Sequence, residues 1–215
     1  MLSDGYLVNG SEPWIIPNPD DLGDFDAEFV KENLTDDQYL PYKRNKETLA
    51  RGWAIPGTKG LEHRIGGIEK QDVTGNVNYD SDNHEKMVQL RAKKVANIAN
   101  ELPPTEVFGK KKGDLLILSW GSTHGACRSA TESLLEENLK VAHVSIRWIS
   151  PLPNDLKDIL SNYKKVLMPE INTGQFRQMI RAEFLVDAIG LNEVQGKPLG
   201  SSTIVAKAKE IIHER

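Results

Sequence analysis

The spacing of apolar positions changes along this chain, and the change divides it. From residue 112 onward, short apolar runs alternate with segments whose apolar residues recur every three or four positions. Leu115, Leu116, Ile117 and Leu118 lie between Asp114 and Gly121 and predict one buried strand over residues 115–120. The run is far too short to span a membrane. Ala126, Ala130 and Leu134 then align at helical spacing and predict a helix over 127–138. A second strand is expected over 141–148, with Arg147 and Trp148 at its end, and Pro153 suits the first turn of a short helix to about residue 160. Residues 166–171 read as a third strand. A helix over 175–189 carries Ile180, Phe184 and Ala188 inward, a short strand follows at 193–195, and an amphipathic helix closes the chain at 202–213. Strand and helix in alternation predict an α/β fold built on an open, mostly parallel sheet over 112–215.

Residues 1–111 lack that rhythm and read as a linker or extension. Pro13, Pro17 and Pro19 exclude a regular helix near the start. Between Asp20 and Asp37 eight residues are acidic, and a solvated short helix is expected around 27–34. Glycine and proline recur through 36–77, yet Trp53, Ile55, Leu61, Ile65 and Ile68 require burial, which argues against disorder. Residues 109–113, basic and bounded by glycines, read as a hinge. The one long element is a helix over about 83–101, stopped by Pro103-Pro104. Asp82 and Glu85 form a potential capping box, and Val88, Ala92, Val95, Ala99 and Leu102 mark the expected buried face.

Charge and composition narrow the partners. A formal net charge of −4 over 215 residues gives no reason to expect nucleic acid or an anionic membrane. Cys127 is the single cysteine, so an internal disulfide is excluded and a reducing cytoplasm is the default. Its place on a helix suggests a packed small side chain rather than a nucleophile. The first ten residues lack the basic start and apolar run of a secretory signal.

Candidate chemistry gathers where an open parallel sheet binds ligands, beyond the carboxyl ends of its strands. Gly121 and Gly125 bracket Ser122, Thr123 and His124 after the first strand, a turn that leaves amide groups at a helix start where an anion is favoured. A cap made by Ser122 or Thr123 accounts for these residues equally well. Arg147 and Trp148 follow the second strand; Glu170, Asn172 and Gln175 follow the third. The set has donors, a fixed cation and a carboxylate, enough to hold a polar ligand. It contains no Ser–His–Asp arrangement at a supporting spacing, no C-x-x-C, no H-E-x-x-H, and neither of the glycine-rich nucleotide motifs. Asp80, Asp82, Asn83 and His84 match no metal-site spacing and read as turn and cap residues. Trp53, His63 and Arg64, in the irregular segment, are candidate interface residues.

Five stretches carry a resemblance. Asp4-Gly-Tyr-Leu-Val-Asn-Gly-Ser-Glu-Pro-Trp14, Gly57-Thr-Lys-Gly-Leu-Glu-His-Arg-Ile-Gly-Gly67 and the segment 114–125 resemble the α subunit of 2-oxoacid:ferredoxin oxidoreductases, the 2-oxoglutarate type above all. So do Glu170-Ile-Asn-Thr-Gly-Gln175 and Arg181-Ala-Glu-Phe-Leu-Val-Asp-Ala-Ile-Gly190. The resemblance covers essentially the whole chain. It implies a transketolase-C-terminal-like domain over 112–215, and a reaction in which a 2-oxoacid and coenzyme A give acyl-CoA and carbon dioxide while electrons pass to ferredoxin. Thiamine diphosphate, Mg and an iron–sulfur cluster are implied in the holoenzyme, together with a β subunit.

The sequence departs from the family pattern in three ways. It begins where the family's thiamine-pyrimidine domain ends, and it lacks both a G-D-G diphosphate motif and a cysteine cluster. The expectation is therefore a C-terminal portion of an α subunit, from a split or truncated gene or a longer chain, that binds no thiamine diphosphate and is inactive alone. The alternative expectation is a non-catalytic assembly module that docks onto a thiamine-binding partner.

Overall fold

A computed structural model describes residues 11, 13, 15–23, 29–30 and 39–214. Two compact units are present, Pro13–Glu101 and a second built on Leu102–Arg215.

In the first unit, β1 (Phe29–Val30) pairs in parallel with β2 (Trp53–Ala54). The helix expected around 27–34 is therefore corrected at Phe29 and Val30, which are extended; its other residues, and the segment around Asp4–Trp14 apart from Ser11 and Pro13, lie outside the described residues. The β-branched and aromatic side chains of Val30, Phe29 and Trp53 suit an extended pair. Helix α1 (Ser81–Asn97) begins two residues earlier than a cap at Asp82 implies. Asp80 is the N-cap, in extended backbone, and accepts from the Asn83 amide at 2.8 Å, so the Asp82–Glu85 box is not used.

The buried face of α1 is also not the one its apolar spacing suggests. Met87 is buried, whereas Val88 and Val95 are each 45% exposed. Polar contacts set the rotation: Asn83 bridges the Lys70 carbonyl and the Asp72 amide, Lys86 reaches Asp72 at 2.7 Å, and Arg91 makes a two-pronged contact with Glu69. That contact holds the Glu69 carboxyl well below the usual range, at about 2. Lys70 is buried, and its ammonium donates to the carbonyls of Gly66 (2.6 Å) and Ile68 (3.0 Å), which closes the loop that presents Ile65 and Ile68 outward.

The second unit is a five-stranded α/β sheet. In chain order it contains β3 (Phe108–Gly109), β4 (Gly113–Trp120), α2 (His124–Glu136), β5 (Val141–Ile146), α3 (Leu156–Ser161), β6 (Tyr163–Glu170), α4 (Gln175–Phe184), β7 (Ala188–Asn192) and α5 (Ser201–His213). The strand order is β3-β5-β4-β6-β7, parallel throughout except for β3, which runs antiparallel to β5. The open, mostly parallel sheet expected from the alternation is present. The pleat divides β4 between two cores: Leu115 and Ile117 meet α2 and α5 on one face, and Leu116 and Leu118 meet α3 and α4 on the other. Each of these four side chains is fully buried, worth about 1.5–3 kcal/mol apiece against exposure.

Several boundaries differ from the sequence pattern, among them the end of β5 at Ile146 and the start of β6 at Tyr163. Phe108–Gly109 is an edge strand rather than part of a hinge, and β4 starts at Gly113, where a Cβ would come within 2.1 Å of the Lys140 carbonyl oxygen. Helix α4 stops at Phe184, not 189, because Leu185 turns left-handed (φ 54°) and Arg181 donates to the Ala188 carbonyl. The last strand is consequently 188–192 and not 193–195: Val166, Met168 and Glu170 of β6 draw Ala188, Gly190 and Asn192 into register. No helix among the described residues is long and apolar enough to cross a membrane.

Candidate functional site

The parallel register of β4 and β5 sets Ser119 beside Ser145 and Trp120 beside Ile146, so both strands end at one level. After β4 the chain makes a 3-10 turn over Gly121–Thr123. Gly121 takes a left-handed φ of 59°, and the Thr123 hydroxyl donates to the Trp120 carbonyl at 2.9 Å. Thr123, the N-cap residue of α2, is thus a buried brace of the turn and makes no side-chain cap hydrogen bond. Ser122 lies half-buried in the same turn. His124, the first residue of α2, is exposed with its ring 5.4 Å from that of His143.

Beyond this turn lies a cavity of about 850 Å³, with His124, Arg147, Trp148 and Trp120 in its wall. Arg147 and Trp148 lie just past the end of β5, which stops at Ile146. Arg147 makes no hydrogen bond or ion pair among the described residues. The opposite wall is the segment Pro103–Glu106, fixed where Asp155 accepts from the Thr105 amide (2.8 Å) and hydroxyl (2.6 Å).

Glu170, Asn172 and Gln175 do not join this cavity. The Glu170 carboxyl is 1% exposed and accepts from the Trp120 indole, the Asn172 amide and the backbone N–H groups of Phe176 and Arg177. The Asn172 side-chain oxygen accepts from Gly174 and Gln175 amides. Together these two side chains satisfy the start of α4, so the crevice between β4 and β6 is closed by the protein's own groups. Glu170 forms no pair with Arg147. The sequence-selected set therefore splits three ways: His124 and Arg147 line the cavity, Ser122 and Thr123 form the turn that leads to it, and Glu170, Asn172 and Gln175 belong to a helix start.

Several lining residues escape a reading confined to strand ends. His143 is 2% exposed and shares a 2.7 Å hydrogen bond between Nε2 and the Ser119 hydroxyl. Burial, with His124 and Arg128 nearby, pushes its pKa down to about 4, so the ring is neutral near pH 7. Arg128 of α2 lies 3.2 Å above the Phe108 ring and pairs with Glu132. The signal for His143 was present: residues 141, 143 and 145 share one pleat face of β5, so a period of two leads from Val141 through His143 to Ser145, and Arg147 follows just past the strand end. Cys127 is fully buried, and burial raises its thiol to about 12, an inert packed side chain. The cavity thus offers a free guanidinium, the neutral imidazole of His143 and aromatic walls, which suit binding.

In the first unit the His63 Nδ1–H donates to the Leu61 carbonyl (2.8 Å), with its ring 5.1 Å from that of Tyr39, and Arg64 lies against Gly67. Trp53, Ile55, Ile65 and Ile68 are 66, 52, 76 and 51% exposed.

No protein-family profile matches the chain. It is 42% identical over 197 residues to 2-oxoglutarate oxidoreductase subunit KorA of Mycobacterium tuberculosis, covering 91% of this chain and 29% of that relative. This chain is homologous to a C-terminal portion of 2-oxoacid:ferredoxin oxidoreductase α subunits. The α subunit of the Saccharolobus solfataricus 2-oxoacid:ferredoxin oxidoreductase is 32% identical over 113 residues, 51% of this chain and 18% of its own length. The 2-oxoglutarate:ferredoxin oxidoreductase of Magnetococcus marinus, solved with 2-oxoglutarate, coenzyme A and succinyl-CoA bound, superposes with a TM-score of 0.83 at 30% identity. That match covers 92% of this chain and 34% of the Magnetococcus chain. The oxidoreductase homologue therefore spans about a third or less of the proteins it resembles.

Proposed function

We propose that this oxidoreductase homologue acts as a C-terminal part of the α subunit of a cytoplasmic 2-oxoacid:ferredoxin oxidoreductase, with 2-oxoglutarate as the 2-oxoacid. The reaction is coenzyme A-dependent oxidative decarboxylation, with a β subunit and ferredoxin as partners. The identity to subunit KorA over nine-tenths of the chain carries this reading. Thiamine diphosphate, Mg and an iron–sulfur cluster belong to the holoenzyme. The donor set of this chain does not fit them: its one cysteine is a buried, high-pKa thiol, and the described residues include no cluster of three His, Cys, Asp or Glu side chains. No catalytic step is assigned to this chain. Its part is to shape the entrance for coenzyme A and the 2-oxoacid, with Ser122 and Thr123 building the turn, His124 and Arg147 facing the cavity, and Glu170, Asn172 and Gln175 holding the adjoining helix start.

The test is reconstitution. Combined with a β subunit and the remaining part of an α subunit, the chain is expected to support reduction of ferredoxin that depends on both 2-oxoglutarate and coenzyme A; alone it shows no turnover. An assembly that forms fully yet turns over none of several 2-oxoacids removes the oxidoreductase reading and leaves a non-catalytic assembly module.

The same assembly accounts for Trp53, His63 and Arg64. Four apolar side chains more than half exposed within residues 53–68 form a surface suited to a partner chain. Amides of 53–68 are expected to exchange quickly in the isolated chain and to slow at least tenfold with the β subunit bound. Equal exchange in both samples means the surface stays open, and the interface assignment is withdrawn.

A further inference from the structure

We infer that Arg64 and Lys70 of the first unit form a carboxylate-accepting site, filled by an acidic side chain that a partner chain presents among apolar neighbours. Two cations converge there. Gly67 turns left-handed (φ 94°), and a Cβ on it would lie 3.4 Å from Arg64 Nη2 and 3.7 Å from Lys70 Nζ. Both positive groups therefore border the same bare face of one glycine. Lys70 is 4% exposed and spends two of its three ammonium protons on the Gly66 and Ile68 carbonyls. The Arg64 guanidinium makes no hydrogen bond or ion pair among the described residues. The carboxylates nearest in sequence are spent elsewhere. Glu69 accepts from Arg91, pairs with His84 and meets the Lys70 amide, and Glu62 accepts from the Gly60 amide. Like charges held side by side, one of them shielded from water, repel each other and favour an anion between them.

The surroundings select the anion. Ile65 and Ile68 flank Gly66 and Gly67 and are 76 and 51% exposed. A free oxyanion would leave both isoleucines in water. An aspartate or glutamate on a partner's surface covers them as it delivers its charge, and the apolar ring then keeps water from the ion pairs. A carboxylate has two oxygens and can meet the guanidinium and the remaining ammonium proton together. The Lys70 tether to Gly66 and Ile68 fixes the loop before the partner arrives, so little ordering is left to offset on binding. The site rests on the β-subunit contact proposed for residues 53–68 and gives that contact its chemistry: the facing surface is acidic at its centre and apolar around it.

Affinity of the 215-residue chain for the β subunit is measured by calorimetry at low and at high salt. Arg64→Gln is expected to weaken binding roughly tenfold or more, and Arg64→Glu more steeply still. Arg64→Lys should recover part of the loss, since it restores the charge without the planar fork. Added salt should weaken the wild-type complex more than the Arg64→Gln complex. Lys93→Gln, which removes an exposed cation of α1, should bind as wild type does. Wild-type affinity in Arg64→Gln and Arg64→Glu, or an equal loss in Lys93→Gln, overturns the site. Two further outcomes also overturn it. Inorganic phosphate that binds the isolated chain saturably, and loses that binding in Arg64→Gln, identifies a small-anion site instead. A lowered urea midpoint in isolated Arg64→Gln identifies a pairing with a carboxylate of this chain itself. Reconstituted turnover is read separately. A complex weakened by Arg64→Gln but inactive removes the oxidoreductase reading and leaves the site; an active complex indifferent to Arg64 removes the site alone. No complex with the wild-type chain removes the β-subunit contact and the site together.

Discussion

Glu170→Ala is expected to lower the stability of the sheet unit by about 3–4 kcal/mol, the largest effect of any polar substitution here. The carboxyl is 1% exposed and accepts four hydrogen bonds, from Trp120, Asn172, Phe176 and Arg177. Alanine leaves the indole and two amides of the α4 start without acceptors in a dry environment, each costing about 1–3 kcal/mol before relaxation or water entry. Glu170→Gln restores only part of the loss, since every partner is a donor and half of the new amide is also a donor. The check is the urea midpoint followed by tryptophan fluorescence, in which Trp120 reports directly on the lost bond. A wild-type midpoint in Glu170→Ala would mean that the α4 start does not depend on this carboxyl. Because Trp120 also forms part of the cavity wall, the variant should bind ligand more weakly there even where it remains folded.

Acidification is expected to remove about 3 kcal/mol through His143 alone. Its pKa falls from an ordinary 6.5 to about 4 in the folded chain, first because it is buried and then because His124 and Arg128 lie nearby. Between those two values the unfolded chain binds more protons than the folded one, so stability rises with pH across that window. The contribution is complete above pH 6.5 and declines as the pH falls toward 4, where the buried ring finally charges. Glu69, at about 2, adds a separate loss below pH 4.5, as protonation breaks its contacts with Arg91 and His84. Urea unfolding across this range should show the steeper dependence in wild type and a flattened one in His143→Gln, whose side chain keeps a partner for the Ser119 hydroxyl without titrating. Parallel pH profiles in the two proteins would rule out His143 as the group responsible.

The sheet unit was largely legible in the sequence because its strands are buried on both faces. Leu115 to Leu118 read as one unbroken apolar run, the pattern that parallel strands require, and the helices between them keep their inward residues at steps of three or four. The limits of these elements were less legible. Helix α4 ends where Leu185 adopts a left-handed backbone, a conformation leucine disfavours and which the pairing of β6 with β7 imposes on the connection. Nothing in the local spacing announces it. Likewise Phe108 and Gly109 are too short a pair to read as a strand; they become one through β5 beside them.

The site divides in the same way. Position at a strand end placed His124 and Arg147 together, and both line one cavity because strands in parallel register end together. It also grouped them with Glu170, a carboxyl that turned inward to satisfy the exposed amides of the next helix. A strand-end rule places backbones at a level; it cannot choose between a side chain facing solvent and one consumed by a neighbouring helix start. In α1 the apolar stripe itself misled, for Asn83, Lys86 and Arg91 form contacts with Glu69, Lys70 and Asp72 that outweigh burying Val88 and Val95. By itself, then, the sequence determined the alternation of strands and helices and the residues in the core, since periodic burial is a local property of the chain. Only the tertiary structure decided which polar groups face the cavity and which are spent holding it together, since a hydrogen bond between residues fifty positions apart, such as Trp120 to Glu170, leaves no periodic trace.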